Sequence, residues 1–119
     1  MASPIADLRL ESLRGVPVAH VSGELDLSNT GALGQEIVDK LAASAPGVVL
    51  DLTEVEFLDS SGLRLVLETA QRAGDAGQKF ALVMLDGSFV ARLIEGTGVD
   101  RIVGVHPSVG DALEKIVPA

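Results

Sequence analysis

The sequence predicts an α/β fold: a mostly parallel sheet of about five strands with an antiparallel N-terminal edge strand and about four helices, in one domain over residues 1–119. Three observations predict it. After Asp26, short apolar runs of strand length alternate with segments whose apolar residues recur at helical spacing. Before Asp26, two strand-like runs are separated by only Arg14-Gly15, a turn pair. Finally, "VVLDL" (Val48 to Leu52) and "KFALVML" (Lys79 to Leu85) are nearly all apolar, as in strands covered on both faces of a parallel sheet.

Each element has its own justification. "ADLRLESLR" alternates Leu8 and Leu10 with Arg9 and Glu11, the pattern of a half-exposed strand, and "VPVAHVSG" follows as its more apolar hairpin partner, with Pro17 tolerated near the start. Ser28 or Asn29 is placed to cap a helix running to about Ala43, with Leu33, Ile37 and Leu41 on its inner stripe and Pro46-Gly47 breaking the chain afterwards. The strand Val48–Leu52 leads to a helix from Ser60 to Ala73. Its inner stripe is Leu63, Val66, Leu67 and Ala70, and Arg64–Glu68 and Glu68–Arg72 are spaced as charge pairs on the outer face. Beyond Lys79–Leu85, Ser88 caps a short helix bearing Phe89, Val90, Leu93 and Ile94, ending near Gly96-Thr97-Gly98. "RIVGV" is the last strand. Ser108 and Asp111 then form a capping box for a closing helix with Ala112, Leu113 and Ile116 inward.

This order has a functional consequence. In a parallel sheet, every loop leading from a strand into its helix emerges at the carboxyl edge, where α/β folds place their sites. Gly23–Asp26, Asp59–Ser61 and Asp86–Ser88 are such loops and should converge there.

Composition narrows the function classes. The net charge is −8, with nine basic residues scattered along the chain, which argues against direct nucleic-acid binding. There is no cysteine, hence no disulfide framework and no thiolate metal site. No secretory signal and no apolar run near the roughly 20 residues of a membrane span is visible, so a soluble, cytoplasmic protein is expected.

The segment "VEFLDSSGLRLVL" (Val55 to Leu67) carries the site. Asp59, Ser60 and Ser61 precede a helix, and Asp and Ser are preferred N-caps, so capping alone is one reading. Two serines exceed what one cap needs, however, and Gly62 costs roughly 1 kcal/mol of helix propensity, as though another molecule approached the backbone there. A nucleophilic serine is the second reading and fares badly: the elbow G-x-S-x-G is absent, and His20 and His106 stand in no motif. Glu54, Glu56 and Asp59 form an acidic cluster that reads as a solvated loop. The third reading is a serine acted upon. A phosphoryl group at a helix N-terminus meets free amides and the positive end of the macrodipole, and it adds about −1.5 to −2 charges to the surface.

At these residues the chain resembles the anti-sigma factor antagonists, single-domain members of the STAS family. "VSGELD" (Val21 to Asp26), "VVLDLTEVEFLDSSGLRLVL" (Val48 to Leu67) and "GTGVDRIVGVHPSVGDAL" (Gly96 to Leu113) look like that family's blocks, in the same order. The resemblance implies a STAS-like fold and a switch in which the unphosphorylated chain binds an anti-sigma factor serine kinase and frees a sigma factor. It implies phosphorylation of the serine before the glycine, Ser61, with Ser60 the less favoured neighbour, and reversal by a serine phosphatase. Asp26 matches the family aspartate implicated in kinase binding, and Glu24, Asp59, Ser60, Gly62 and Leu63 complete the candidate partner surface. ATP and Mg²⁺ would belong to the kinase, and the chain itself needs no cofactor and is no enzyme. The alternative within the family is a STAS scaffold, or a subunit of a stress-signalling or lipid-transport complex, that binds without being switched. An Asp-phosphorylated receiver domain shares the alternating plan but needs a lysine ending the last parallel strand, which "RIVGVHP" lacks.

Overall fold

Residues 5–40 and 44–118 are described by a computed structural model. The chain begins with β1 (Ala6–Leu13) and β2 (Val16–Leu25), an antiparallel hairpin closed by Arg14 (φ 54°) and Gly15 (φ 75°). Two consecutive left-handed residues are what a two-residue hairpin turn of matching twist requires. There follow α1 (Thr30–Asp39), β3 (Gly47–Leu58), α2 (Ser60–Asp75), β4 (Lys79–Val83), α3 (Phe89–Thr97), β5 (Gly104–His106) and α4 (Val109–Ile116), with a 3-10 turn at Val99–Arg101. Strand order is β1-β2-β3-β4-β5, and every pair after the hairpin is parallel. The predicted fold class stands.

Both faces of the sheet are covered. On one, Val21, Leu25, Leu50, Leu58 and Leu82 pack under α1, α2 and α3 through Ile37, Leu65, Val66, Val90 and Ile94. On the other, Val16, Val18, Val49, Ala81 and Val83 meet Ala112, Leu113 and Ile116 of α4. The two faces alternate along β3 and β4, which explains why these strands read as unbroken apolar runs.

Several boundaries differ from the sequence reading. β3 does not stop at Leu52 but continues to Leu58, still paired with β2. Two bulges intervene: from His20 to Ser22 and from Gly23 to Glu24, β3 spends one residue more than β2. Leu52, Val55 and Leu58 thereby all reach the core at three-residue spacing, which hides the strand from a period-two pattern. β4 ends at Val83, and β5 starts only at Gly104 because Val99–Arg101 is a 3-10 turn. α1 ends at Asp39 with Lys40 as C-cap; Leu41 and the expected end near Ala43 lie outside the described residues. In α2 the buried positions are Gly62, Leu65, Val66, Thr69 and Ala73, whereas Leu67 is 38% exposed. Thr69 is accommodated because its hydroxyl donates to the Leu65 carbonyl (2.7 Å). Among the described ion pairs, neither Arg64–Glu68 nor Glu68–Arg72 closes.

His20, which carried no motif, stands between two carboxylates on the α4 side: Nδ1 lies 2.7 Å from Asp51 Oδ2 and Nε2 2.5 Å from Glu11 Oε2. The ring thus bridges the two carboxylates, one at each nitrogen. The hydrogen bond from His20 holds the Glu11 carboxyl below its ordinary value of 4.5, with burial opposing and the charges of His20 and Arg9 assisting. A folded pKa below the unfolded one means that this contribution is complete above about pH 4.5 and is lost as pH falls through the depressed value. Glu11→Gln should therefore lower the urea midpoint at neutral pH and converge with the wild type on acidification. Parallel curves throughout would show that Glu11 is not so held.

Candidate functional site

The three predicted strand-to-helix connections meet at the carboxyl edge, as the topology requires, and a fourth, Pro107-Ser108 between β5 and α4, emerges there too. β2 and β3 reach it side by side: Leu25 pairs with Leu58, and the Asp59 amide donates to the Leu25 carbonyl (3.2 Å). Asp26 and Asp59 thus leave adjacent strand ends. The first predicted loop is shorter than expected, since Gly23, Glu24 and Leu25 still belong to β2 and the connection is Asp26 to Asn29. Gly23 (φ 92°) lies where a Cβ would press on the Ile5 carbonyl oxygen, which instead accepts the Glu24 amide at 2.7 Å.

Asp59 is the single residue between β3 and α2 and caps the helix. Its Oδ1 accepts the Ser61 amide (2.8 Å), the Gly62 amide (3.4 Å) and the Ser61 hydroxyl (2.5 Å). The Ser61 hydroxyl is the leading cause that holds the Asp59 carboxyl below its ordinary value of 3.8. Partial burial opposes it, and the backbone amides of Ser61, Gly62 and Leu27 add to it. Asp26 repeats the device one strand away. Its Oδ1 accepts the Ser28 amide (2.9 Å) and the Ser28 hydroxyl (2.5 Å). Asn29, at the N-cap of α1, makes no side-chain cap; it accepts from the Asp26 amide (3.1 Å) and donates to the Glu24 carbonyl (2.9 Å), bracing the loop. Ser88 caps α3 through the Ala91 amide (3.0 Å). Four helix N-termini therefore face one edge, those of α1, α2 and α3 with Asp26, Asp59 and Asp86 beside them.

Accessibility separates the candidate residues. Ser60 and Glu24 are exposed, while Asp26, Asp59 and Ser61 are half-buried. Ser61 lines an open hollow of about 230 Å³ together with Leu27, Thr30, Gly31, Arg64 and Glu68. Leu63 is partly buried against the core. Gly62 is buried, and its missing Cβ has an internal explanation: one built there would sit 2.7 Å from Leu58 Cβ and 3.3 Å from Leu25 Cβ. The glycine lets α2 settle onto the ends of β2 and β3, which accounts for it without an approaching partner. Glu54 and Glu56 point out of β3, and among the described residues no group of three acidic or histidine side chains is arranged to hold a metal.

Sequence reasoning missed the apolar part of this edge. Leu27 is 82% exposed, Leu85 51%, Phe89 46% and Phe57 43%; the two phenylalanine rings stack at 5.8 Å between centroids and 19° between planes. Four of the seven exposed large apolar side chains among the described residues thus stand in or beside the carboxyl-edge connections, Leu27 in the hollow that Ser61 lines, where water alone gives them no reason to be. The available signal was an apolar residue beside turn formers, Leu27 between Asp26 and Ser28 and Leu85 before Asp86-Gly87. Phe89 begins α3, the helix expected to bear it, and is exposed.

Known proteins share the sequence pattern and the fold. The family model described as STAS domain matches residues 7–112. The anti-sigma-F factor antagonist RsfB of Mycobacterium tuberculosis is 35% identical over 99 residues, covering 83% of this chain and 80% of that protein. A crystal structure of an anti-sigma factor antagonist from Mycobacterium paratuberculosis superposes with a TM-score of 0.84 at 34% identity, covering 98% of both chains. The unphosphorylated form of the antagonist SpoIIAA shares the fold at a TM-score of 0.73 and 19% identity, over 92% of this chain and 93% of that one.

Proposed function

The chain belongs to the STAS domain family, and from that premise we propose that it is an anti-sigma factor antagonist switched by phosphorylation of Ser61. The unmodified chain binds an anti-sigma factor that is also a serine kinase, and so releases a sigma factor. Phosphate on Ser61 dissociates the pair, and a serine phosphatase restores the binding form. ATP and Mg²⁺ are the kinase's; this chain contributes the hydroxyl and the docking surface.

The observation that supports this reading best is the setting of Ser61: a half-buried, reachable hydroxyl on the first turn of α2, in a hollow shared with exposed Leu27, at the sheet edge where Phe57, Leu85 and Phe89 are also exposed. Burying such apolar surface against a partner gains roughly 25 cal/mol per Å². A phosphate introduced among those side chains must be stripped of water as the partner docks, at an effective penalty of several kcal/mol. The helix beneath need not change, because the amides of its first turn can serve a phosphate oxygen. One patch thus binds in one state and repels in the other.

Incubation with the kinase, ATP and Mg²⁺ should add one phosphate, located on Ser61 by mass spectrometry of the tryptic peptide ending at Arg64. Phosphate found only at another residue would refute the assignment. Asp26→Ala removes the acceptor that holds Ser28 and frees the loop carrying Leu27. We expect about a tenfold loss of kinase affinity or phosphorylation rate, ~1.4 kcal/mol, with unchanged far-UV circular dichroism. A variant normal in both assays would take Asp26 out of the site.

A further inference from the structure

We propose that Asp59 is a positioning residue for the transfer to Ser61, fixing its hydroxyl for attack and thereby directing phosphate to Ser61 rather than to Ser60. The inference rests on the kinase-substrate reading above. It starts from a contrast between neighbouring serines. Ser60 is the more exposed of the two, and its hydroxyl has no bonding partner among the described residues; Ser61 is half-buried and latched. By access alone, Ser60 would be the better substrate.

Orientation reverses that ranking. A free serine hydroxyl visits three staggered wells and spins about its C–O bond. An ionised carboxylate can only accept, so the 2.5 Å contact obliges the Ser61 hydroxyl to donate to Asp59 Oδ1. The carboxylate is itself held, because the same oxygen takes the Ser61 and Gly62 amides of the first helical turn. Its depressed pKa keeps it in the accepting form. The proton therefore faces Asp59, and the lone pairs of Oγ are left for an incoming phosphorus atom. In the transfer, Oγ bonds to the γ-phosphorus of ATP and the bond from that phosphorus to the β-phosphate oxygen breaks, releasing ADP. As the new O–P bond forms, the hydroxyl proton leaves its hydrogen bond to Asp59 for a basic side chain of the kinase, Asp59 orienting the group without taking the proton. Holding the nucleophile in an attack-ready geometry accelerates such a step without requiring tighter substrate binding. Once phosphate is on Ser61 the latch cannot re-form, since Oγ has no proton left to donate and a carboxylate and a phosphate dianion repel.

The test uses the purified kinase that binds the unmodified chain, with ATP and Mg²⁺. Asp59→Asn keeps an oxygen acceptor at the latch, whereas Asp59→Ala removes it. Asp59→Ala should lower kcat tenfold or more with KM within about threefold of wild type, and should move a measurable share of phosphate to Ser60. Asp59→Asn should stay within a few-fold of wild type and keep phosphate on Ser61. Wild-type kcat and site choice in Asp59→Ala would overturn the proposal while leaving the antagonist reading intact, and so would an Asn variant as slow as the Ala variant. In the free protein, carboxyl NMR should show the Asp59 titration moving upward in Ser61→Ala; no movement would mean the latch is not formed. A kinase that binds the wild-type chain but modifies neither serine would overturn both this proposal and its parent reading.

Discussion

Ser61→Glu is expected to weaken binding to the anti-sigma factor by one to two orders of magnitude, while Ser61→Ala binds within a few-fold of wild type. Calorimetric titration of the purified partner reads both. Alanine removes only the hydroxyl that donates to Asp59, leaving Leu27 and the exposed apolar residues Phe57, Leu85 and Phe89 of the same edge untouched. Glutamate puts a charge on the first turn of α2, on the residue whose hydroxyl now donates to the Asp59 carboxylate. That charge must lose its water against the partner and sit beside a like charge, and a hundredfold effect needs only about 2.7 kcal/mol. Authentic phosphate, with roughly twice the charge, should lie at the upper end of the range. Far-UV circular dichroism of both variants should match the wild type. Equal affinity of all three proteins would instead favour a STAS scaffold that binds without being switched.

Gly62→Ala is expected to cost about 1–3 kcal/mol of stability, the usual penalty for overpacking a filled core. The added methyl would lie 2.7 Å from Leu58 Cβ and 3.3 Å from Leu25 Cβ, atoms fixed to strand backbones and unable to swing aside. α2 would have to lift from the strand ends, carrying Ser61 with it, so partner binding should fall together with stability. Gly31→Ala is the internal control. A Cβ there meets nothing within 4 Å, and alanine is the better helix former by roughly 1 kcal/mol, so this variant should be slightly more stable. Urea unfolding distinguishes them: midpoints should shift in opposite directions with unchanged slopes. An unaltered midpoint in Gly62→Ala would mean that the helix seats itself in some other way.

The architecture was legible because strand and helix periods are strong signals and each buried element obeys one of them. α4 illustrates this: Ala112, Leu113 and Ile116 are buried and the Ser108 hydroxyl accepts the Asp111 amide, as expected. The failures have physical causes. The second half of β3 broke its period through bulges, and α2 offered two overlapping apolar stripes. Packing chose the one containing Gly62 and Thr69, which carry little hydrophobic signal. At the site, the convergence of Asp26 and Asp59 followed from topology. The parallel latches onto Ser28 and Ser61 did not, because a hydroxyl-to-carboxylate bond depends on rotamers that residue types do not specify. The exposed Phe57–Phe89 stack was hidden for a simpler reason: apolar residues are read as core until something shows that nothing covers them.

The extra residues in β3 set the phase of everything that follows them. Side chains along a strand alternate between faces, so deleting one residue between Asp51 and Phe57 would rotate the end of the strand by half a repeat relative to β2. Leu58 would exchange its place with a neighbour, and the serine pair would present a different aspect to a visitor. Length in this stretch is therefore expected to be less forgiving than residue identity: conservative replacements at Glu54 or Glu56 should pass unnoticed, whereas a single-codon deletion there should silence the protein.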